Sequence, residues 1–377
     1  MKSHVFFSDL RVRPGKNPLD RLDVLLDRAN LKGKVREKDL VAIKLHFGEK
    51  GNTSFIRPLF LRRVVERVKA YKGKPFLTDT NTLYTGSRQE AISHLTTAYQ
   101  HGFVPESVDA PVIIADGIRG NSSLNVPIDK PLFKTVSIAH EILMADVLLG
   151  VAHFKGHELT GFAGTLKNLG MGCASREGKL AQHSNLSPQV KQKACRGCER
   201  CLSCCPQEAI SMLPPKPEIE KKHRVAFVDS GKCIGCAECI PNCPSGAIII
   251  RWNETIPIFQ KKMVEHAYGA IKGKKGKVLF LNFLTAITPA CDCLPYSGVP
   301  IVGDIGILSS EDPIAVDQAS ADLVNQEEGI RSSKLPGGWK PGEDKFLALY
   351  PEADWKVQLD YGEAIGMGSR EYELIKI

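Results

Sequence analysis

Cys195-Arg-Gly-Cys198-Glu-Arg-Cys201-Leu-Ser-Cys204-Cys205-Pro206 and Cys233-Ile-Gly-Cys236-Ala-Glu-Cys239-Ile-Pro-Asn-Cys243-Pro244 are two versions of one motif. Both have the spacing C-x2-C-x2-C-x3-C-P, which takes up eight of the twelve cysteines in the chain. Bacterial ferredoxins hold cubane [4Fe-4S] clusters with this spacing. Cys204 is the spare thiol of its run, and we interpret it as a bystander.

The spacing suits a cubane because three thiolates on one tight loop can each bind a different iron. In two-cluster ferredoxins the fourth cysteine of each run binds the other cluster. The motif therefore predicts two [4Fe-4S] clusters, with the ligand sets Cys195, Cys198, Cys201, Cys243 and Cys233, Cys236, Cys239, Cys205. Zinc and disulfides are the alternatives. Zinc sites favour separate C-x2-C pairs, and disulfides need an oxidising compartment, so both fit this pattern less well.

The repeat extends beyond the ligands, because Pro206-Gln-Glu-Ala-Ile210 matches Pro244-Ser-Gly-Ala-Ile248. Such a repeat is typical of a pseudo-twofold module of short strands and helices. We predict an inserted α+β two-cluster ferredoxin module at 188–252. The flanking residues, 1–187 and 253–377, would then form one discontinuous α/β domain.

Apolar runs of strand length alternate with amphipathic segments of helix length on both sides of the cysteines. The predicted strands are 40–47, 75–80, 111–115, 147–152, 277–283, 299–302 and 371–377. The predicted helices are 19–31, 58–71, 88–100, 257–271, 312–325 and 355–365. A capping box, Ser87-x-x-Glu90, announces the third of these helices. Near-continuous apolar strands between helices indicate an α/β fold, a mostly parallel sheet with helices on both faces.

Composition is that of an ordinary soluble protein, with 43% hydrophobic and 24% charged residues. The sequence contains no apolar stretch of signal-peptide length and none near the roughly 20 residues of a membrane span. We therefore expect a cytoplasmic protein. The net charge of +8 is spread along the chain, and its densest run, 272–277, has no interleaved aromatic residue. This argues against a nucleic-acid interface and suits a redox partner protein or a small anionic substrate. The sequence does not predict an oligomeric state.

Polar and ionisable residues follow the ends of the predicted strands. Ligands of open α/β sheets bind beyond the carboxyl ends of the strands, so these side chains are expected to share one edge. They are Lys44, His46, Glu49, Asp79, Asn81, Asp116, Arg119, His153, Lys155, His157, Asn282, Cys291, Cys293 and Asp304. The edge would suit an anion or a metal ion.

The stretch 153–173 is the richest part of this edge, with His153, Lys155, His157 and Lys167 among five glycines. A helix starting near Gly161 would direct its amide dipole at a bound anion. We predict catalytic roles for a first set, His46, His153, His157 and Lys167. We predict contacts to a substrate or cofactor for a second set, Lys44, Lys155, Asp79, Arg119 and Asp304. The alternative is that these are structural histidines and solvated lysines.

Three further cysteines lie outside the two runs. The pair Cys291-x-Cys293 could chelate a third metal or cluster together with Cys173. Buried free thiols are the alternative.

Residues 150–180, 304–317 and 365–374 resemble the family catalogued as domain of unknown function 362, in the form that carries an inserted bacterial-type ferredoxin module. That family has no agreed reaction, so the resemblance implies a fold and clusters but no activity. A more distant similarity links His157 and Lys167 to the motif of lactate racemase and related nickel-pincer proteins, in which Lys anchors the cofactor and His is the acid or base. Asp79-Thr80-Asn81 lies where that group has an Asp-x-Thr-Arg substrate motif, but this chain has no Arg there. The similarity therefore implies the fold only.

Three functions remain open. In the first, an iron-sulfur oxidoreductase passes electrons through two clusters to a molecule at the strand edge. In the second, the chain is an electron carrier or adaptor that docks redox partners. In the third, the clusters are structural or sensory on a protein that handles metal or nucleic acid.

Overall fold

The computed structural model describes residues 2–12, 14, 16–221 and 223–377. The strands are β1 Ser3–Asp9, β2 Leu40–Lys44, β3 Lys74–Asp79, β4 Val112–Ile114, β5 Ser123–Pro127, β6 Thr135–Ala139, β7 Val147–His153, β8 Lys155–His157, β9 Gly161–Ala163, β10 Gln189–Val190, β11 Ile210–Leu213, β12 Val225–Val228, β13 Ile248–Ile249, β14 Val278–Leu284, β15 Gly306–Ser310 and β16 Tyr372–Lys376. The helices are α1 Pro18–Arg28, α2 Leu31–Lys34, α3 Pro58–Ala70, α4 Ala91–Gln100, α5 Pro105–Val108, α6 His140–Met144, α7 Thr165–Gly170, α8 Arg176–His183, α9 Arg200–Ser203, α10 Cys239–Asn242, α11 Ile256–Ile271, α12 Pro313–Gln326, α13 Lys345–Leu349 and α14 Lys356–Ala364.

Eight strands form the main sheet, in the order β16-β1-β15-β14-β7-β2-β3-β4. Only β15 runs against its neighbours, so the other seven strands point their carboxyl ends to one edge. Successive side chains of a strand face opposite sides of the sheet. Leu148 accordingly packs in one core with α7, α11, α12 and α14, whereas Val147 and Leu149 pack in the other with α1 and α3. The prediction of a mostly parallel sheet covered on both faces is confirmed.

Three details of the prediction are wrong. Residues 299–302 form no strand, and Val302 makes only an isolated bridge to Gly329. The strand of this region is β15, which is fully buried. The sequence did not predict it, because its two serines interrupt the apolar pattern of a buried strand. Helix α4 begins after Glu90, whose carboxylate accepts the N–H groups of Ile92 and Ser93. The hydroxyl of Ser87, the other half of the predicted capping box, donates to the Glu49 carboxylate instead.

The cysteine-rich segment packs in a third apolar cluster, to which Leu83 and Leu180 also contribute. It contains two antiparallel pairs, β10 with β13 and β11 with β12. The two cysteine runs also repeat in backbone conformation, since Gly197 and Gly235 have φ of 68° and 75°, and Glu199 and Ala237 both have φ of 61°. Positive φ at equivalent positions shows that the two loops turn in the same way. The domain boundaries at 188 and 252 stay a prediction.

Among the residues that the structure describes, no helix combines the length and the apolar character needed to cross a lipid bilayer.

Candidate functional site

A cavity of about 630 Å³ lies at the carboxyl ends of β2, β3 and β7. The hairpin β8–β9, helix α7 and helix α8 form its other walls. Its ionisable lining consists of Lys44, His46, Glu49, Asp79, Tyr84, Arg88, His153, Lys155, His157, Glu158, Lys167, Lys179, His183 and Cys293. The parallel strands thus bring together, from distant parts of the chain, most of the side chains that we predicted at this edge.

Six residues predicted at this edge are absent from this lining, namely Asn81, Asp116, Arg119, Asn282, Cys291 and Asp304. Arg119 is exposed and donates to the side-chain oxygen of Asn242 at 2.7 Å, in the second cysteine run. Asp304 is exposed and accepts the N–H of Ala286 at 2.6 Å. Asp304 precedes the antiparallel strand β15 rather than following a parallel strand. The structure therefore gives these two side chains local contacts, and offers no support for the substrate contacts predicted for them.

The helix expected near Gly161 begins instead at Thr165, because Gly161 belongs to β9. The carboxylate of Asp317 accepts the first amides of α7, from Thr165 at 2.7 Å and from Leu166 at 2.8 Å. Burial outweighs these bonds and raises the pKa of Asp317 to about 6. Asp317 thereby fixes the helix that carries Lys167.

The lysines of the cavity differ in how many hydrogens they can offer a ligand. The ammonium of Lys44 is fully used, by the Leu45 carbonyl at 2.7 Å, Asn168 at 2.9 Å and Asp79 at 3.0 Å. Lys155 contacts two acceptors, the His153 carbonyl at 2.9 Å and Asp292 at 3.0 Å. Lys44 is therefore built into the wall, whereas one ammonium hydrogen of Lys155 has no acceptor among the described residues.

Lys167 is the most available cation. Its ammonium lies 3.2 Å from the Cys291 sulfur, and two of its three hydrogens have no partner among the described residues. Burial alone would lower the pKa of Lys167, but the adjacent sulfur groups of Cys291 and Cys293 raise it above its ordinary value. Lys167 is therefore a permanent positive charge.

The histidines fall into two states. Both ring nitrogens of His153 face oxygen acceptors, with Nδ1 2.9 Å from Asp292 and Nε2 2.8 Å from the Thr285 carbonyl. This arrangement requires a proton on each nitrogen, so His153 is a buried cation. Burial lowers the pKa of both His46 and His157 well below the ordinary value, with nearby cations adding to the effect, so these two rings are neutral. His46 and His157 are therefore neutral rings in the lining of the cavity.

A group of potential metal ligands borders the cavity. The ligand atoms of His157, Cys291 and Cys293 all lie within 4.8 Å of one another. A hydrogen bond from Cys293 and the charge of Lys167 hold the pKa of the Cys291 thiol well below its ordinary value. Cys173, the predicted third member, points its thiol at the Asn168 carbonyl, and burial raises its pKa to about 11. His157 thus replaces Cys173 in the group.

Asp292, between the two cysteines, is a central residue that the sequence did not single out. Its buried carboxylate accepts from His153 at 2.9 Å, Lys155 at 3.0 Å and Ser54 at 3.2 Å. Its carbonyl accepts the N–H of Glu49 at 2.8 Å. The only sequence feature that pointed to Asp292 was a charged residue between two closely spaced cysteines. This feature does not indicate a role unless the side chains that contact Asp292 are known.

Gly156 allows the hairpin β8–β9 to approach the loop that carries these cysteines. A methyl group at this position would lie 2.3 Å from the Pro289 carbonyl oxygen. We expect Gly156→Ala to destabilise the protein by about 1–3 kcal/mol, the usual cost of overpacking, measured by urea unfolding. Gly337→Ala is the matched control, since its added methyl meets no atom within 4 Å. Equal effects of the two substitutions would contradict the close approach.

Two smaller cavities lie within the cysteine-rich segment. The first is lined by the sulfur-bearing residues Cys195, Cys198, Cys201 and Cys243. The second is lined by Cys205, Cys233, Cys236 and Cys239. Each set therefore takes three cysteines from one run and the last from the other. The last cysteine of each run accepts a hydrogen bond from a backbone N–H at 3.2 Å. The donor to Cys205 is Ala209, and the donor to Cys243 is Ala247. Four thiols with amide donors form a donor set that fits a cubane cluster.

The second of these cavities lies against the main domain. Leu180 of α8 packs beside Gly235, and Arg176 of the same helix lies 3.9 Å from Glu238. The other side of α8 contributes Lys179 and His183 to the large cavity. Leu83 belongs to both places, since it lines the large cavity and packs in the core of the cysteine-rich segment. Helix α8 and Leu83 therefore contact both the cysteine-rich segment and the large cavity.

Comparison with known proteins gives a family but no named activity. No curated protein matches the sequence. A weak structural similarity links the chain to the lactate racemase apoprotein from Thermoanaerobacterium thermosaccharolyticum, with 14% sequence identity and a TM-score of 0.36. The alignment covers 76% of this chain and 51% of that one, so this chain corresponds to about half of that structure. The family model described as Domain of unknown function (DUF362) matches residues 41–322, well over half of the sequence. The chain belongs to the DUF362 family.

Proposed function

We propose that this chain is an iron-sulfur oxidoreductase of the cytoplasm, which passes electrons through two [4Fe-4S] clusters to a small anion in the large cavity. The observation that carries the proposal is the arrangement of its cysteines. Two sets of four thiols each line a small cavity, and helix α8, which packs against the second cysteine run, also lines the large cavity. When bound, such clusters accept and release single electrons.

The charge of the large cavity supports an anionic substrate. Lys155 is buried and Lys167 is half-buried, and each has ammonium hydrogens without an acceptor among the described residues, which is costly inside a protein. A carboxylate or phosphate group would provide the missing acceptors. The neutral ring of His46, whose Nδ1 accepts the N–H of Gly48 at 3.0 Å, directs a proton-bearing Nε2 elsewhere and could donate to such a ligand.

The position of the cysteine-rich segment supports a direction of electron flow. Cys198, a member of the first set, is exposed, whereas the second set faces α8 and the main domain. A redox partner protein would therefore exchange electrons with the first cluster, and the second would exchange them with the cavity.

The test is anaerobic reoxidation of the reduced chain with both clusters in place. A panel of small carboxylates and phosphate esters that each carry a reducible group, such as a carbonyl or a conjugated double bond, is added as electron acceptors, and the visible absorbance of the clusters is followed. We expect at least one of these anions to reoxidise the clusters, and Lys167→Gln to slow this reaction at least tenfold. Lys275→Gln, a substitution of an exposed loop lysine, is the matched control and should react like the unmodified chain.

A carrier function predicts the opposite pattern. No small anion would then reoxidise the clusters, and electron transfer to a protein acceptor would be equal in the Lys167→Gln and Lys275→Gln chains. Equal iron content and EPR spectra of these chains establish that a difference in rate comes from the cavity and not from cluster loss.

A further inference from the structure

We propose that His157, Cys291 and Cys293 bind one borderline-soft divalent metal ion, such as Zn²⁺, with an open coordination position toward the large cavity. This site is separate from the eight cysteines of the two runs. It goes beyond electron transfer, because it would place a Lewis acid beside the molecule that occupies the cavity.

The spacing of the three ligand atoms suits such an ion. Zinc binds sulfur at about 2.3 Å and imidazole nitrogen at about 2.0–2.1 Å, so its tetrahedral ligand atoms lie roughly 3.5–4 Å apart. The three atoms here lie within 4.8 Å of one another. Small side-chain rotations therefore suffice to close the site.

The backbone around the site is held from several directions. The N–H of Gly156, next to His157, donates to the Thr288 carbonyl at 2.9 Å. The hydroxyl of Tyr350 donates to the Pro289 carbonyl at 2.7 Å. The Asp292 side chain ties the middle of the cysteine pair to His153 and Lys155. Rigid supports of this kind keep metal ligands in place before the metal arrives.

Charge and ligand number favour a catalytic type of site. Two thiolates and one neutral imidazole would neutralise a divalent ion, and Lys167, 3.2 Å from the Cys291 sulfur, would donate to a bound thiolate. Cys291 is buried, whereas Cys293 lines the cavity. Structural zinc sites use four protein ligands, but catalytic sites use three and leave one position for water or substrate. Among the described residues, this group has three.

An anion held by Lys155 and Lys167 would lie next to the open position. The class of ligand is therefore a small carboxylate or phosphate that can bind the metal through oxygen. This part of the inference rests on the proposed function of the cavity, whereas the metal site itself does not.

The test is zinc binding to the chain with its iron-sulfur clusters intact, measured by equilibrium dialysis and by X-ray absorption at the zinc edge. The zinc edge is distinct from that of iron, so the clusters do not interfere. We expect one zinc per chain, bound by two sulfurs and a nitrogen. Cys291→Ser and His157→Gln should each weaken zinc binding at least tenfold. Cys173→Ser and Cys204→Ser, the matched controls, should leave it unchanged.

Four results would overturn the proposal. Three of them are no zinc on the unmodified chain, zinc binding by the Cys291→Ser chain equal to that of the unmodified chain, and a Cys291–Cys293 disulfide in anaerobically purified protein. The fourth is zinc bound by four sulfurs, since it would indicate occupation of the two runs. Iron content equal to that of the unmodified chain shows that each variant has folded. None of these readouts depends on electron transfer, so failure here is distinct from failure of the proposed function.

Discussion

Replacing Asp292 with alanine is expected to lower the free energy of unfolding by about 3–5 kcal/mol, the usual cost of leaving a buried charge without its partner. Asp292 is fully buried between the imidazolium of His153 and the ammonium of Lys155. Burial alone would raise the pKa of the Asp292 carboxyl, but these two cations hold it well below its ordinary value. The carboxylate is therefore ionised at neutral pH, and its removal leaves two cations in the wall of the cavity.

The pH dependence of this contribution has a definite sign. A carboxyl whose pKa is lower in the folded than in the unfolded chain binds fewer protons when folded. The stabilisation by Asp292 is therefore complete above the unfolded pKa of about 4. It is lost as the pH falls from there through the folded pKa. The difference between the unmodified chain and Asp292→Ala should accordingly shrink in acid.

Urea unfolding under anaerobic conditions measures the effect, with Asp360→Ala as the matched control. Asp360 pairs with Arg370 at an exposed position, so its loss should cost less than about 1 kcal/mol. Asp292→Asn retains one acceptor oxygen and should fall between the two. A midpoint for Asp292→Ala equal to that of Asp360→Ala would contradict the buried ion network.

The sequence predicted the sheet well because most of its strands are recognisable as short apolar runs. The segments around Ile43, Leu77 and Leu149 are apolar on both faces, and only a sheet buried on both sides requires that pattern. The sequence did not predict β15, because two of its five residues, Ser309 and Ser310, are polar although they are buried. Burial of polar side chains depends on neighbours distant in the sequence, which a local pattern does not contain.

The candidate site could be predicted only in outline, for a similar reason. Strand ends located the edge, and with it His46, Lys155 and His157. The state of each group depends on tertiary partners: Lys44 is used up by Asp79 and Asn168, whereas Lys167 faces Cys291. The loop that carries Asp292 packs on the hairpin β8–β9, which is distant in the sequence, through Thr288 and Pro289. No spacing rule connects such positions, so the roles of individual residues required the structure.

Alanine substitutions of the last cysteine in each run are expected to remove the cluster of the other run. Cys243 lines the cavity of the first run, and Cys205 lines that of the second. Loss of one of four ligands should abolish or degrade one cubane, so Cys243→Ala should retain about half of the iron. Cys204→Ala is the matched control, because the Cys204 thiol donates to the Cys201 carbonyl and lines neither cavity. It should retain all of the iron.

A pair of double variants tests the crossing itself. If Cys198 and Cys243 serve the same cluster, Cys198→Ala/Cys243→Ala damages one cluster twice and should retain as much iron as either single variant. Cys198→Ala/Cys205→Ala damages both clusters and should retain almost none. If instead all four ligands of a cluster came from one run, these two results would be exchanged. Iron analysis with EPR of the reduced protein distinguishes the outcomes, because non-additivity is expected only where two substitutions act on one site.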